Sequence, residues 1–84
     1  MDAAIVGTWE CLDDSVPHEW LCLLTFSANG RFVDGDGDEG RFQTRERTLT
    51  LNFDDFSPIS FSYNIIEDQL TLLGDDTRMV LTRR

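Results

Sequence analysis

The chain has 84 residues, of which 40% are hydrophobic and 11% aromatic. This is enough for one small folded domain and too little for a second core. Sixteen acidic side chains outnumber seven basic ones, and the net charge of −9 makes free DNA, RNA and anionic membranes poor partners. The absence of a signal-peptide pattern and of a long apolar run leads us to expect a single cytoplasmic domain over residues 1–84.

Apolar and polar residues alternate with a period of two, which is typical of half-buried strands. Turn residues divide the chain into eight candidate strands. In chain order, these are predicted at residues 4–11, 20–27, 31–34, 40–45, 48–53, 59–66, 69–73 and 77–83. One short helical turn is expected around Ser15–His18. The short connections favour antiparallel pairing of consecutive strands, so the pattern predicts an all-β meander.

Several segments resemble those of a known family. Ile5-Val6-Gly7-Thr8-Trp9 resembles the Gly-x-Trp strand that opens lipocalin-like (calycin-type) barrels. Residues 24–32 resemble the second and third strands of small bacterial lipocalin-like domains, and residues 40–42 and 63–72 match the later hairpins. The resemblance implies a small antiparallel up-and-down barrel of about eight short strands. It also implies a closed end where the first strand begins and an open mouth opposite, with residues 12–19 as its lid.

Eight strands make a barrel just wide enough for side chains to fill. The aromatic-rich inward set should therefore form a solid core rather than a ligand cavity, and it contains no charged residue. The predicted inward residues are Ile5, Trp9, Cys11, Trp20, Cys22, Leu24, Phe26, Phe32, Phe42, Leu49, Leu51, Phe53, Ile59, Phe61, Tyr63, Ile65, Leu70, Leu72, Met79 and Leu81.

The acidic residues are unevenly placed along this meander. Alternate loops meet at one end of the barrel, and the loops at 12–19, 34–39, 54–58 and 74–76 carry eleven of the sixteen acidic residues and no arginine. These candidate partner-binding residues are Asp13, Asp14, Glu19, Asp34, Asp36, Asp38, Glu39, Asp54, Asp55, Asp75 and Asp76. Only Arg41 and Arg78 are expected beside them. The alternative is that aspartate is simply a common turn residue that favours solubility.

No catalytic or metal motif stands out. Residues 34–40 read Asp-Gly-Asp-Gly-Asp-Glu-Gly, but an EF-hand loop needs glycine at its sixth position and glutamate at its twelfth, where this chain has Glu39 and Arg45. A weak divalent-ion site of another kind is the alternative to a plain glycine-rich hairpin loop. His18 is the only histidine, and no nucleophile–base spacing accompanies it. We expect no enzymatic activity, no cofactor and no resident metal.

The two cysteines, Cys11 and Cys22, both fall on the inward face. If Trp9 lies opposite Leu24, the same register places Cys11 opposite Cys22. A disulfide would then form in an oxidising compartment, whereas two buried thiols are expected in the cytoplasm.

The predicted function is non-enzymatic binding. The first hypothesis is an inhibitor or immunity-type protein that engages a basic protein surface through the acidic end of the barrel. The second is a lipocalin-like carrier of a small apolar or cationic ligand at the mouth. The third is an accessory domain of an enzyme. A filled interior favours the first, and a connected cavity above roughly 300 Å³ favours the second.

Overall fold

The computed structural model describes residues 2–11, 22–75 and 77–84. Its eight strands form a closed antiparallel barrel in which each strand pairs with the next and the last pairs with the first. The strands are β1 Gly7–Cys11, β2 Leu23–Phe26, β3 Arg31–Val33, β4 Glu39–Arg45, β5 Thr48–Phe53, β6 Ile59–Ile66, β7 Gln69–Leu73 and β8 Arg78–Arg83. The predicted all-β, up-and-down barrel is confirmed. None of the described residues belongs to a helix with the length and hydropathy needed to cross a membrane.

The predicted and observed strands differ mainly at the start of the chain. The first strand was expected from residue 4, but Ala3–Ile5 form a 3₁₀ turn, and β1 begins at Gly7. The Asp2 side chain caps the start of this turn by accepting a hydrogen bond of 3.0 Å from the Ala4 amide, as aspartate commonly does at helix starts. The helical turn expected around Ser15–His18 lies outside the described residues.

The barrel interior is filled by apolar side chains, as the alternation predicts. Among the residues that the structure describes, every buried hydrophobic one belongs to the predicted inward set, and Cys11, Cys22, Phe53 and Ile65 pack against this core while partly buried. The core residues are Ile5, Trp9, Leu24, Phe26, Phe32, Phe42, Leu49, Leu51, Phe61, Tyr63, Leu70, Leu72, Met79 and Leu81. Ile59 was expected inside but is 37% exposed, and Trp20 lies outside the described residues.

The end of the barrel that holds the 3₁₀ turn is closed by polar contacts around Trp9. The indole Nε1 donates to the Ile5 carbonyl at 2.8 Å, and the Arg83 guanidinium lies 4.2 Å from the indole ring centre. Gly7 has a φ of 135°, and a Cβ there would come within 2.6 Å of Arg83 Nη1. The glycine of the Gly-x-Trp segment therefore permits both this backbone conformation and the passage of Arg83 across the closed end.

The register between β1 and β2 is the one that the sequence predicts. Trp9 pairs with Leu24, and the sulfur atoms of Cys11 and Cys22 are joined in a disulfide with a Cα–Cα distance of 4.6 Å. Of the two states considered for these cysteines, the structure therefore has the bridged one. This bond fixes the two ends of the connection between β1 and β2.

Candidate binding site at the acidic end

Three described loops meet at the end of the barrel opposite the 3₁₀ turn. They connect β3 to β4, β5 to β6 and β7 to β8, and an up-and-down order places such alternate connections at one end. We call this the acidic end. Seven of the eleven candidate residues lie here: Asp34, Asp36, Asp38, Glu39, Asp54, Asp55 and Asp75. The other four, Asp13, Asp14, Glu19 and Asp76, lie outside the described residues.

Asp34 differs from its acidic neighbours because it is buried, with only 5% of its surface exposed. Its Oδ1 accepts hydrogen bonds from the amides of Asp36 and Asp38, each at 2.9 Å. An aspartate side chain that bonds to following amides stabilises a tight turn. Asp34 therefore holds the β3–β4 loop in shape.

The remaining carboxylates of this loop generate a concentrated negative potential. Asp36 is exposed and Asp38 is half-buried. Partial desolvation raises the pKa of the Asp38 carboxyl above 3.8, and the charges of Asp34, Asp36 and Asp55 raise this pKa further. The Asp54 amide donates to the Glu39 carbonyl at 3.0 Å, so the start of the β5–β6 loop lies beside the end of the β3–β4 loop.

One arginine neutralises part of the acidic end in a way that the sequence did not predict. Arg31 was not among the arginines expected beside this end, but its Nη2 donates to Asp54 Oδ2 at 2.9 Å. The reason is that β3 has only three residues, and its register places Arg31 opposite Arg41, which is itself opposite Asn52. Arg31 therefore lies close to Asp54, and the expectation that only Arg41 and Arg78 flank this end was wrong.

A pocket of about 390 Å³ opens at the acidic end, and we call it the mouth pocket. Its apolar wall consists of Phe53, Phe56 and Ile59, and the other lining residues are Asp34, Asp36, Asp38 and Ser57. The Phe53 and Phe56 ring centres are 5.9 Å apart with the planes at 80°. Phe56 is 60% exposed, so a large aromatic surface faces solvent beside exposed carboxylates.

The sequence pointed to the acidic part of this pocket and missed the apolar part. Phe56 lies between Asp55 and Ser57, outside any alternating strand pattern, so periodicity gave it no role. Ile59 was expected in the core, but it is the first residue of β6 and faces the pocket instead. The available signal was an unexplained aromatic residue within an otherwise polar turn.

The chemistry of the mouth pocket suits an organic cation with an apolar body. Aromatic walls attract cations through their ring electrons and bury methylene groups, and carboxylates accept the cation's hydrogen bonds.

Among the described residues, no cluster of three or more histidine, cysteine, aspartate or glutamate side chains has a metal-binding arrangement.

Comparisons with protein-family models, with curated protein sequences and with solved structures find no significant match to this chain. The function is therefore argued from the geometry of the acidic end.

Proposed function

We propose that this protein is a non-enzymatic binding module that engages a basic protein surface through its acidic end, as an inhibitor or immunity-type protein would. The observation that carries the proposal is the meeting of three acidic loops at one end of the barrel, two of which line the mouth pocket. Asp36, Asp55 and Asp75 are exposed there, one on each loop. Phe56 supplies an aromatic anchor of the kind that contributes strongly to protein interfaces.

The size of the barrel keeps this charge separate from that of the opposite end. The Cα atoms extend 27 × 26 × 24 Å, whereas charges in physiological salt are screened over about 8–10 Å. A basic partner approaching the acidic end is therefore attracted mainly by the carboxylates of that end. Such attraction accelerates association more than it strengthens the final complex.

The test compares two variants that lose equal charge. Replacing Asp36, Asp55 and Asp75 by asparagine removes three charges from the acidic end and leaves the Arg31–Asp54 ion pair intact. The control replaces Glu46 and Glu67 by glutamine and Asp68 by asparagine, in the two hairpin turns at the opposite end.

The partner is isolated by affinity capture from the native host, and its association with each protein is measured by surface plasmon resonance at several salt concentrations. We expect the first variant to associate about tenfold more slowly at low salt and to lose much of its salt dependence. The control should associate at nearly the original rate. Equal slowing in the two variants would contradict the proposal. It would favour the alternative that the acidic residues serve only solubility.

A second candidate function is that of a lipocalin-like carrier that holds a small cationic or apolar ligand at the mouth. The observation in its favour is the volume of the mouth pocket, about 390 Å³, which lies within the range of small-molecule sites. The filled barrel interior limits such a ligand to the mouth itself. A free small cation that binds as tightly as a basic peptide would favour this candidate over the first.

A further inference from the structure

We propose that the mouth pocket receives an arginine side chain of the basic partner, with the edge of its guanidinium against Asp36 and Asp38 and its guanidinium face and stem against Phe53 and Phe56. This inference rests on the proposed function and deepens it by naming the group that is recognised.

The shape of the pocket favours one long side chain over a flat contact. The pocket opens to solvent, and one of its walls is formed by the Phe53 and Phe56 rings, whose planes are at 80° to each other. Phe53 is held in place from behind by Phe32, whose ring centre is 5.1 Å away. A methylene stem that enters the pocket covers Phe56, which is 60% exposed in the free protein.

The charge of the pocket favours a cation at its rim. Asp36 and Asp38 line it together with the buried Asp34, and partial desolvation followed by repulsion from Asp34, Asp36 and Asp55 raises the pKa of Asp38. A bound cation would relieve this repulsion, because its field opposes that of the neighbouring carboxylates. An apolar partner group without charge would instead lower the solvation of the carboxylates with no compensating contact.

The combination of two carboxylates and two aromatic rings favours arginine over lysine. The guanidinium is planar, weakly hydrated and able to stack on a ring while it donates several hydrogen bonds at its edge. The lysine ammonium is compact and strongly hydrated, so it gains less from an aromatic wall. The pocket therefore discriminates between two side chains of equal charge.

The experiment titrates the full-length ¹⁵N-labelled protein with synthetic peptides and follows its amide resonances. The probes are a capped glycine/serine peptide with three arginines, its lysine counterpart and the free cation arginine amide. We expect the arginine peptide to shift the amide resonances of Asp36, Asp38 and Phe56, and to bind at least about fivefold more tightly than the lysine peptide.

Two substitutions at Phe56 separate the aromatic contribution from the charge. Phe56→Ser leaves every carboxylate in place and should weaken the arginine peptide at least about fivefold, and Phe56→Leu should abolish the preference for arginine. The matched control is Ile66→Ser, because Ile66 is 64% exposed and belongs to β6 at the end remote from the pocket. This control should leave binding unchanged.

The outcomes distinguish this inference from the proposed function. Equal binding of the arginine and lysine peptides, or equal effects of Phe56→Ser and Ile66→Ser, would overturn the inference. If both peptides still depended on Asp36, Asp55 and Asp75, the proposed function would stand. Binding of arginine amide as tight as that of the peptide would overturn both and favour a small-molecule carrier.

Discussion

Asp38 illustrates how a single carboxyl group reports the crowding of charge at the acidic end. Its pKa lies above 3.8 because of partial desolvation and the charges of Asp34, Asp36 and Asp55. A carboxyl whose pKa is raised by folding binds its proton more tightly in the folded state. Its ionisation therefore lowers the free energy of unfolding as the pH rises through that raised pKa.

We expect Asp38→Asn to melt at a higher temperature than the unmodified protein at about pH 7, and the difference to shrink as the pH falls towards about 3. The cause is the removal of a carboxyl group that opposes folding only when it is ionised. Thermal melting followed by circular dichroism across this pH range is the measurement, with Glu46→Gln as the control at the opposite end. A difference that did not change with pH would show that the effect is not electrostatic.

Tyr63 is a second residue whose ionisation is linked to folding. Its hydroxyl donates to Asp2 Oδ2 at 2.8 Å. Burial raises its pKa above 10.0, the hydrogen bond and charge of Asp2 raise it further, and Thr44 and Arg47 oppose the shift. Its contribution to stability is therefore complete below about pH 10 and lost as the pH rises through the raised pKa.

Tyr63→Phe should lower the free energy of unfolding by about 1–2 kcal/mol at neutral pH, because a hydrogen bond to a carboxylate is lost. The difference between the two proteins should narrow above about pH 10, where the tyrosine itself ionises. Urea unfolding at a series of alkaline pH values measures this. Parallel pH profiles for the two proteins would contradict the linkage between Tyr63 and folding.

At the scale of the elements, the β4–β5 hairpin shows how local conformation is set by pairing rather than by turn sequence. β4 and β5 are joined by Glu46 and Arg47, whose φ angles are 49° and 67°. Two-residue hairpins favour positive φ at both positions, usually with Asn-Gly, and the Glu46-Arg47 turn lacks that signal. The six paired positions between β4 and β5 hold the turn in this conformation.

The β1–β2 pair is held by the Cys11–Cys22 disulfide in addition to its backbone pairing. The cysteines are 11 residues apart, and closing a loop of this length stabilises a folded chain by about 3 kcal/mol through the unfolded state. We expect Cys11→Ala with Cys22→Ala to lose roughly this free energy of unfolding, measured with urea.

Thiol titration of the unmodified protein, denatured after purification without reductant, provides the matching check on the disulfide. Bridged cysteines give no thiol signal, whereas two reactive thiols would contradict the disulfide and accord with the cytoplasmic location expected from the sequence. Disulfides persist mainly in oxidising compartments. The titration therefore bears on location as well as on stability.

At the scale of the whole molecule, a net charge of −9 with its acidic loops gathered at one end should oppose folding through repulsion. Salt screens such repulsion, so the melting temperature should rise between about 20 mM and 500 mM NaCl. The Arg31–Asp54 ion pair is exposed, and its weakening by salt is a small opposing effect.

The triple variant at Asp36, Asp55 and Asp75 provides the control for this salt dependence. Its melting temperature should depend less on salt than that of the unmodified protein, because three of the repelling charges are gone. An unchanged or lower melting temperature of the unmodified protein at high salt would show that its acidic groups are already compensated.

The strands, their inward faces and their order followed from the sequence because alternation with a period of two is a local property. Leu49 and Leu51, for example, are buried as expected. Successive side chains of a strand point to opposite faces of the sheet, so the face of each residue follows from that of its neighbours. The pairing of Trp9 with Leu24 was also accessible, since the apolar faces of adjacent strands must coincide.

Only the tertiary structure decided which groups meet at the acidic end. The burial of Asp34, the ion pair from Arg31 to Asp54 and the exposure of Phe56 beside Ile59 depend on several strand registers acting together. Loop side chains have no periodic pattern, and their contacts join residues that are distant along the chain. The acidic composition of the mouth was therefore readable from the sequence, whereas its pocket arose from barrel closure.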